Sequence, residues 1–402
     1  RPLKESAHGL MFRRAIGFAP YGAYWTFLRR ITATHLFSPK HIQSAMSYRK
    51  MTASQMVSIF MDRKSSITVR GTLKRASILN MMCLLFGKEY SMVTFNREVE
   101  ELSDLLDEGY QLLGMLNWSD YLPWLADLDL QRVRLRCSRL SPKVHSFVSG
   151  IITQHREHTG NSKLGFVDAL LSLEGHEKLS DSDIIAVLWE MAIRGADTVA
   201  VLTEWVLARM VAHPAVQSAV HDELDKVVSR SRAVEESDMA ALVYLQAVIK
   251  EVLRLHPPGP LLSWARLAVT DTTVDGFHVP KGTTAMVNMY AIARDPEFWS
   301  NPLEFNPERF LEREGEMVFS VLGSDLRLAP FGSGRRTCPG KVLGITTVAF
   351  WVAYLLHEFE WTALQVEAAD FTEVLNLSCE MANPLTARVR PRRPNTDELP
   401  ML

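Results

Sequence analysis

Cys338 has more chemistry to offer than any other residue of this chain. It lies in Phe331-Gly-Ser-Gly-Arg-Arg-Thr-Cys338-Pro-Gly340, a pattern F-x-x-G-x-R-x-C-x-G. A lone thiolate presented by a glycine-bounded loop suits a haem iron, as a soft axial ligand that favours O–O cleavage. Gly334 and Gly340 let the backbone turn tightly and approach a flat macrocycle, where a side chain would clash. Backbone N–H groups in such a loop can bond the sulfur and tune its charge. Arg336 stands two residues before the cysteine. It is placed to reach a haem propionate, because guanidinium matches carboxylate bidentately. Five fixed residue types at this spacing arise by chance with odds on the order of 10⁻⁴ in a chain of this length.

A loop of this kind needs a large scaffold. The 402 residues, 47% of them hydrophobic, are enough for one large domain spanning 1–402. A net charge of −2 gives no reason to expect nucleic acid as a partner. The four cysteines, Cys83, Cys137, Cys338 and Cys379, form no C-x-x-C pair, which argues against structural zinc and for a reducing compartment. The most apolar run, Val342 to Leu356, is too short to span a bilayer and reads as a buried helix behind the cysteine.

The spacing of apolar residues predicts a mainly helical fold with strands gathered in two places. Arg1 to Ala19 reads as a loop. Helices are expected over Tyr21–Thr34, Lys40–Phe60, Ser77–Phe86, Asn96–Leu116, Gln131–His158 and Phe166–Leu173, with Trp118–Leu130 irregular and Thr159–Lys163 a turn. Ser180-Asp-Ser-Asp183 is a strong start for a long helix that His213-Pro214 ends. Two more helices follow, Pro214–Ser229 and Asp238–Leu255, the second broken by His256-Pro-Pro-Gly-Pro260. Strands are expected over Leu261–Val269 and Thr283–Tyr290, and short strands after Asn383, with a disordered tail at 393–402.

Smaller constellations are weaker alone. Glu251-Val-Leu-Arg254 places two charges on one helix face, which in isolation reads as a surface ion pair. Arg194-Gly-Ala-Asp197-Thr198 lies midway along the long helix, where Gly195 alone would be a packing glycine. Trp25 and Arg29 share a helix face. His213 and His256 each precede a proline and are expected to cap a helix end. Met81, Met82 and Met191 are expected in the core. No G-x-G-x-x-G loop follows a strand, so electrons must come from another protein.

Taken together and in order, these motifs resemble the cytochrome P450 family, in its plant microsomal form, from Phe18 to about Arg392. The resemblance implies the triangular helical prism of that fold, with small antiparallel sheets and the haem between the long helix and the cysteine helix. It implies haem b (iron protoporphyrin IX) on Cys338, contacted by Trp25, Arg29, Arg266, Phe331, Arg336 and Gly340. It implies that Thr198 and Asp197 manage protons in a groove that a bent or widened helix opens. Glu251, Arg254 and Arg309 would form a buried cluster bracing the segment before the cysteine. Arg194 and Val199 depart from the family pattern, which usually has a small residue and a hydroxyl there. Arg194 is expected to snorkel away from the haem or to touch a polar part of the substrate.

The implied activity is monooxygenation of a small lipophilic substrate with O₂ and electrons from an NADPH-dependent flavoprotein reductase. The segments FAPYGAYWTFLRR and LLSWARL resemble a plant group tied to organ growth, some members of which hydroxylate fatty acids. The pocket is expected to be lined from Phe12 to Phe18, Met191 to Ala196, Leu261 to Ser263 and Leu377 to Met381. Arg30, Arg335 and Lys341 would flank the thiolate side, where a reductase could dock. A residue stretch upstream, with an apolar anchor of about twenty residues, would tie the protein to the endoplasmic reticulum on its cytosolic face. Three other readings stay open: a haem-thiolate enzyme that rearranges a peroxide, a haem protein without turnover, and a haem-free structural helical protein in which the motif is fortuitous.

Overall fold

The computed structural model describes residues 4–62, 66–157, 165–262, 265–311, 319–323, 325–364 and 370–392. The helices are α1 (Glu5–Gly9), α2 (Ala23–His35), α3 (Pro39–Ser44), α4 (Met46–Met61), α5 (Val69–Phe86), α6 (Arg97–Gly114), α7 (Val133–Glu157), α8 (Phe166–Leu171), α9 (Asp181–Ala212), α10 (Pro214–Val227), α11 (Val243–Leu255), α12 (Met289–Ile292) and α13 (Lys341–Glu358). The strands are β1 (Ile67–Thr68), β2 (Arg266–Leu267), β3 (Thr272–Val274), β4 (Phe277–Val279), β5 (Thr284–Ala285), β6 (Phe359–Ala363), β7 (Glu373–Leu375), β8 (Cys379–Met381) and β9 (Thr386–Pro391). They form a three-stranded sheet β1-β9-β6 and three two-stranded ladders, β2-β5, β3-β4 and β7-β8, and every pair is antiparallel.

α9 is the axis of the molecule. Its 32 residues make a rod of about 48 Å at 1.5 Å per residue. Ser180 caps it by accepting the Asp183 N–H, and two aspartates sit in its first turn, at the positive end of the dipole. Most of its side chains are buried all round, as expected for a helix enclosed by others. α5, α7, α11 and α13 pack on it, and one contiguous apolar core runs through them. Two close approaches depend on missing side chains. A Cβ on Gly195 would lie 2.6 Å from Met81 of α5, and one on Gly109 of α6 would lie 2.8 Å from Ile193.

The structure departs from the sequence expectations in definite places. Arg1–Ala19 is not simply a loop: α1 is followed by a 3-10 turn at Phe12–Arg14. One turn of helix has no period to read. Tertiary contacts hold it instead, through the Glu5–Arg134 and Glu5–Asn117 bonds and the seat of Gly9 against Cys137. α5 starts eight residues earlier than expected, and the helix expected over Lys40–Phe60 breaks at Ala45. Trp118–Leu130 contains two 3-10 stretches, Trp118–Asp120 and Pro123–Leu128. The strand expected over Thr283–Tyr290 shrinks to β5 and gives way to α12, capped by Asn288. α9 is α-helix throughout Gly195–Thr198, and Gly195 gives close packing against Met81. The expected tail at 393–402 and the turn at Thr159–Lys163 lie outside the described residues.

Candidate haem and oxygen site

The cysteine loop is built by left-handed glycines and carbonyl bonds. Gly332 and Gly334 have φ of 71° and 69°, a region that side-chain-bearing residues avoid. The Cys338 N–H donates to the Phe331 carbonyl at 2.9 Å, and the Thr337 hydroxyl donates to the Gly332 carbonyl at 3.1 Å. α13 begins three residues after the cysteine, so its positive end faces the sulfur. The Gly340 N–H donates to the thiol. Gly340 itself has an ordinary φ of −91°; its lack of a side chain serves Phe37, whose ring a Cβ would approach at 3.0 Å. The tight turn expected at Gly340 is therefore made at Gly332.

Burial pushes the Cys338 pKa up, while the Gly340 N–H, Arg194, Arg29 and Lys341 hold it down. Burial outweighs these opposing influences, so the sulfur by itself is held toward the thiol, and an iron ligated there would be what holds it as thiolate.

Three arginines gather beside it. Arg336 donates to the carbonyls of Ile16 at 2.9 Å and Ala19 at 2.8 Å, and its guanidinium lies 4.2 Å from the Trp25 ring centroid. Arg29 donates to the Thr337 carbonyl at 3.0 Å. The Trp25 indole N–H donates to the Ile16 carbonyl at 3.1 Å. The Arg336 pKa is lowered by burial and then by Arg266 and Arg29. A half-buried group of mutually repelling cations fits an anionic ligand, and two propionates meet that requirement. Together with the cysteine loop, these residues fit a haem.

α9 faces this region with Thr198, which is exposed although Asp197 and Val199 on either side are buried. Arg194 precedes Thr198 by one helical turn, on the same face. Its Nη1 lies 3.4 Å from Glu190 Oε1, and Glu190 is fully buried. Both Glu190 oxygens accept the Gly17 N–H, at 2.7 and 3.0 Å. Arg194 thus neither simply snorkels nor waits on substrate alone; it helps neutralise a buried carboxylate. Glu190 and Gly17 were missed from the sequence. The available signal was a lone acid four residues before Arg194 in an otherwise apolar run. Among the described residues Thr198 makes no bond back to the helix, whereas Thr203 does, to the Val199 carbonyl at 2.8 Å.

Asp197 is 6% exposed. Burial raises its pKa; a hydrogen bond from Ser378 and the charges of Lys74 and Arg70 oppose the shift, and Glu380 adds to it. Ser378 lies in the turn between β7 and β8, within the segment expected to line the pocket.

The bracing cluster is buried. Arg254 donates to Glu251 at 2.7 and 2.8 Å with both side chains fully buried, and Arg309 Nε reaches the same carboxylate at 3.1 Å. Arg254 also donates to the carbonyls of Ala293, Pro302 and Glu304, at 2.7 to 3.1 Å. It therefore ties α11 to the segment that leads toward the cysteine loop.

The remaining expectations divide. His213 caps α9 through the Arg209 carbonyl at 2.9 Å. His256 is the C-cap of α11, its backbone N–H donating to the Val252 carbonyl at 2.7 Å, while its ring is stacked on Trp205 at 3.9 Å, accepts from Arg209 at 2.6 Å and meets Glu373 at 2.6 Å. The backbone closes the helix, and the ring goes to charged partners. Arg30 is paired with Glu177, Arg335 covers the Tyr21 ring at 4.3 Å, and Lys341 donates to the Leu322 carbonyl at 2.8 Å. Of the expected pocket segments, Ser263 lies outside the described residues.

Comparison with known proteins agrees with this geometry. The family model for Cytochrome P450 matches residues 1–379. Cytochrome P450 78A9 of Arabidopsis thaliana is 64% identical over 397 residues, covering 98% of this chain and 74% of the relative. Cytochrome P450 78A3 of Glycine max is 60% identical over 98% of this chain and 75% of its own length. Flavonoid 3'-monooxygenase of Arabidopsis thaliana is 36% identical over 98% of this chain and 79% of its own length. A zebra fish cytochrome P450 solved with progesterone superposes with a TM-score of 0.81 at 26% identity, covering 98% of this chain and 88% of that one. A loop built to present one thiolate, a wall of arginines and a match over nearly the whole chain agree: this chain belongs to the cytochrome P450 family.

Proposed function

We propose that this P450 monooxygenase inserts one atom of O₂ into a C–H bond of a small lipophilic substrate, with fatty acids the first class to test. The balance is R–H + O₂ + NADPH + H⁺ giving R–OH, H₂O and NADP⁺, with electrons delivered by an NADPH-dependent flavoprotein reductase. The observation that carries the reading is the Cys338 thiol, half-buried in its glycine-bounded loop, with the Gly340 N–H donating to it and Arg194, Arg29 and Lys341 acting on it by charge. Haem b held there supplies dioxygen activation and O–O cleavage.

The chain's own residues do the rest. Cys338 is held by its loop, and Phe331 and Gly340 bound that loop. Arg29, Arg266 and Arg336 bind the two propionates, with Trp25 holding the segment around Ile16 in place. Thr198 holds a proton donor toward the reacting face, and Asp197 supplies that proton from inside the helix packing. Phe12, Phe18 and Met191 exclude water from the substrate side.

Attachment to the cytosolic face of the endoplasmic reticulum belongs to the same proposal. No helix among the described residues is long and apolar enough to cross a membrane, so the test is fractionation of the full-length protein. Function is tested by reconstitution with reductase, NADPH and a panel of fatty acids, terpenoids and phenolics. Hydroxylated product that requires NADPH supports the proposal. Turnover of a hydroperoxide without NADPH, unimpaired in Thr198→Ala, would instead identify a peroxide-rearranging enzyme. A haem spectrum with no product from any class would leave a binding protein.

A further inference from the structure

Ile16, Gly17 and Ala19 are buried in a segment that is neither helix nor strand. Buried backbone groups need partners, and side chains from three elements supply them here. The Gly17 N–H goes to Glu190 of α9, at 2.7 and 3.0 Å from its two oxygens. The Ile16 carbonyl accepts from Trp25 of α2 at 3.1 Å and from Arg336 of the cysteine loop at 2.9 Å. The Ala19 carbonyl accepts from Arg336 at 2.8 Å, and the Ala19 N–H donates to the Ala15 carbonyl at 2.9 Å.

Glu190 is the costly member of this set. Its carboxylate is fully buried, and a buried charge needs partners. Arg194 Nη1, at 3.4 Å, faces the same oxygen that takes the shorter Gly17 bond. The fit at Gly17 is close. A Cβ there would collide with Glu190 Oε1 and lie 2.5 Å from Arg194 Nη1. Both atoms are the far ends of side chains, so an added methyl displaces them before it displaces backbone.

On the other side of the segment, two of the five guanidinium N–H groups of Arg336 go to its carbonyls. Those carbonyls set the plane of the guanidinium, and with it the direction of the three donors that remain. The Glu190 charge also reaches Arg336, and holds its pKa up against burial and the neighbouring arginines.

We propose that the Glu190–Gly17 bond is a latch that aims Arg336. Glu190 is a positioning residue. Fastened to α9, the segment keeps two carbonyls still, and they keep the guanidinium in the orientation that serves a haem propionate. Arg194 steadies the carboxylate from its other side. The helix that carries Thr198 and the edge of the haem site then move as one unit. The inference rests on the haem reading above and concerns how the group is held, not the reaction.

The test uses full-length, haem-loaded protein and needs no substrate. It compares Glu190→Ala, Glu190→Gln, Gly17→Ala, Arg336→Ala and the double variant Glu190→Ala with Arg336→Ala. Two quantities are read: the rate of haem loss to an acceptor protein, and amide hydrogen exchange in the peptide that carries Gly17. Melting temperature reports folding. Glu190→Ala and Gly17→Ala should each speed haem loss by roughly three- to tenfold, the worth of one hydrogen bond, and each should speed exchange in that peptide. Glu190→Gln keeps an oxygen that can accept the Gly17 N–H and should restore most of the hold. Because the latch acts through Arg336, Glu190→Ala should add less than about twofold once Arg336→Ala is present, whereas effects at independent sites multiply. Should Glu190→Ala fail to fold, Gly17→Ala and its double variant with Arg336→Ala carry the same comparison. Rates that multiply in the double variant overturn the latch and leave Glu190 as a packing residue. So does haem loss that Gly17→Ala leaves unchanged, or that Glu190→Gln raises as much as Glu190→Ala, since charge and not the bond would then decide. A full-length wild type that takes up no haem overturns the parent reading, and this one with it.

Discussion

At the scale of single residues, a few charges are held where water cannot reach them. The Glu251–Arg254 pair is fully buried, and its net value is small because desolvation offsets attraction. Breaking it is another matter. Arg254→Ala leaves a buried carboxylate with only Arg309 and the Asn306 N–H as partners, which should cost about 3–5 kcal/mol in denaturant unfolding. Asp197 is the opposite case. Its raised pKa means that, from about pH 3.9 upward, the unfolded chain loses the proton before the folded one does. Stability then falls as pH rises through that window. Asp197→Asn is expected to melt higher than wild type at pH 7, with the advantage gone below about pH 4. Equal melting temperatures at pH 7 would contradict the buried-acid account. At the haem edge, Arg336→Ala should speed haem loss to an acceptor protein by about tenfold or more, the equivalent of one charge-assisted hydrogen bond.

At the scale of elements, the β7–β8 hairpin is wedged between α6 and α9. A Cβ on Gly114 would lie 2.7 Å from the Leu377 N and 2.9 Å from the Asn376 carbonyl carbon, both backbone atoms that cannot step aside cheaply. Gly114→Ala should cost about 1–3 kcal/mol as overpacking and should alter the spectral shift produced by substrate, because the same hairpin carries Ser378. His256 anchors the hairpin's far side, through Glu373, with its pKa pushed down to about 4 by burial. A histidine kept neutral when folded but protonated when unfolded loses stability as pH falls from its ordinary 6.5 toward 4. His256→Gln should flatten that limb of the melting profile.

Elements also show what a sequence can disclose. The long helix was legible because Ser180 and Pro214 punctuate it and its apolar run is continuous. The cysteine loop was legible because its chemistry fixes residue types at fixed spacing. α1, the 3-10 turns and strands β7 and β8 were not, because they are too short for a period, nor was β6, which pairs with β9 farther along the chain. The Gly17–Glu190–Arg194 contact spans 173 positions along the chain, and no local pattern encodes it. His256 was half legible for the same reason: its position announced the cap that its N–H makes, but not Arg209 and Glu373, distant in sequence, which take both ring nitrogens.

At the scale of the whole molecule, α9 and the start of α13 hold two halves of one site apart, and the segment from Ile16 to Ala19 joins them. That segment gives its carbonyls to Trp25 and Arg336 and the Gly17 N–H to Glu190. The thiol, the arginine group and the threonine face are thus fixed relative to one another by backbone bonds as well as by packing. The account stands on the sulfur of Cys338 as the axial ligand of a haem. The most direct measurement is the absorption spectrum of the ferrous–CO form of the full-length protein and of Cys338→Ser. A strongly red-shifted Soret band in the wild type, lost in Cys338→Ser, is the expected result. A band at the position given by nitrogen ligation, or one that Cys338→Ser leaves in place, would contradict it.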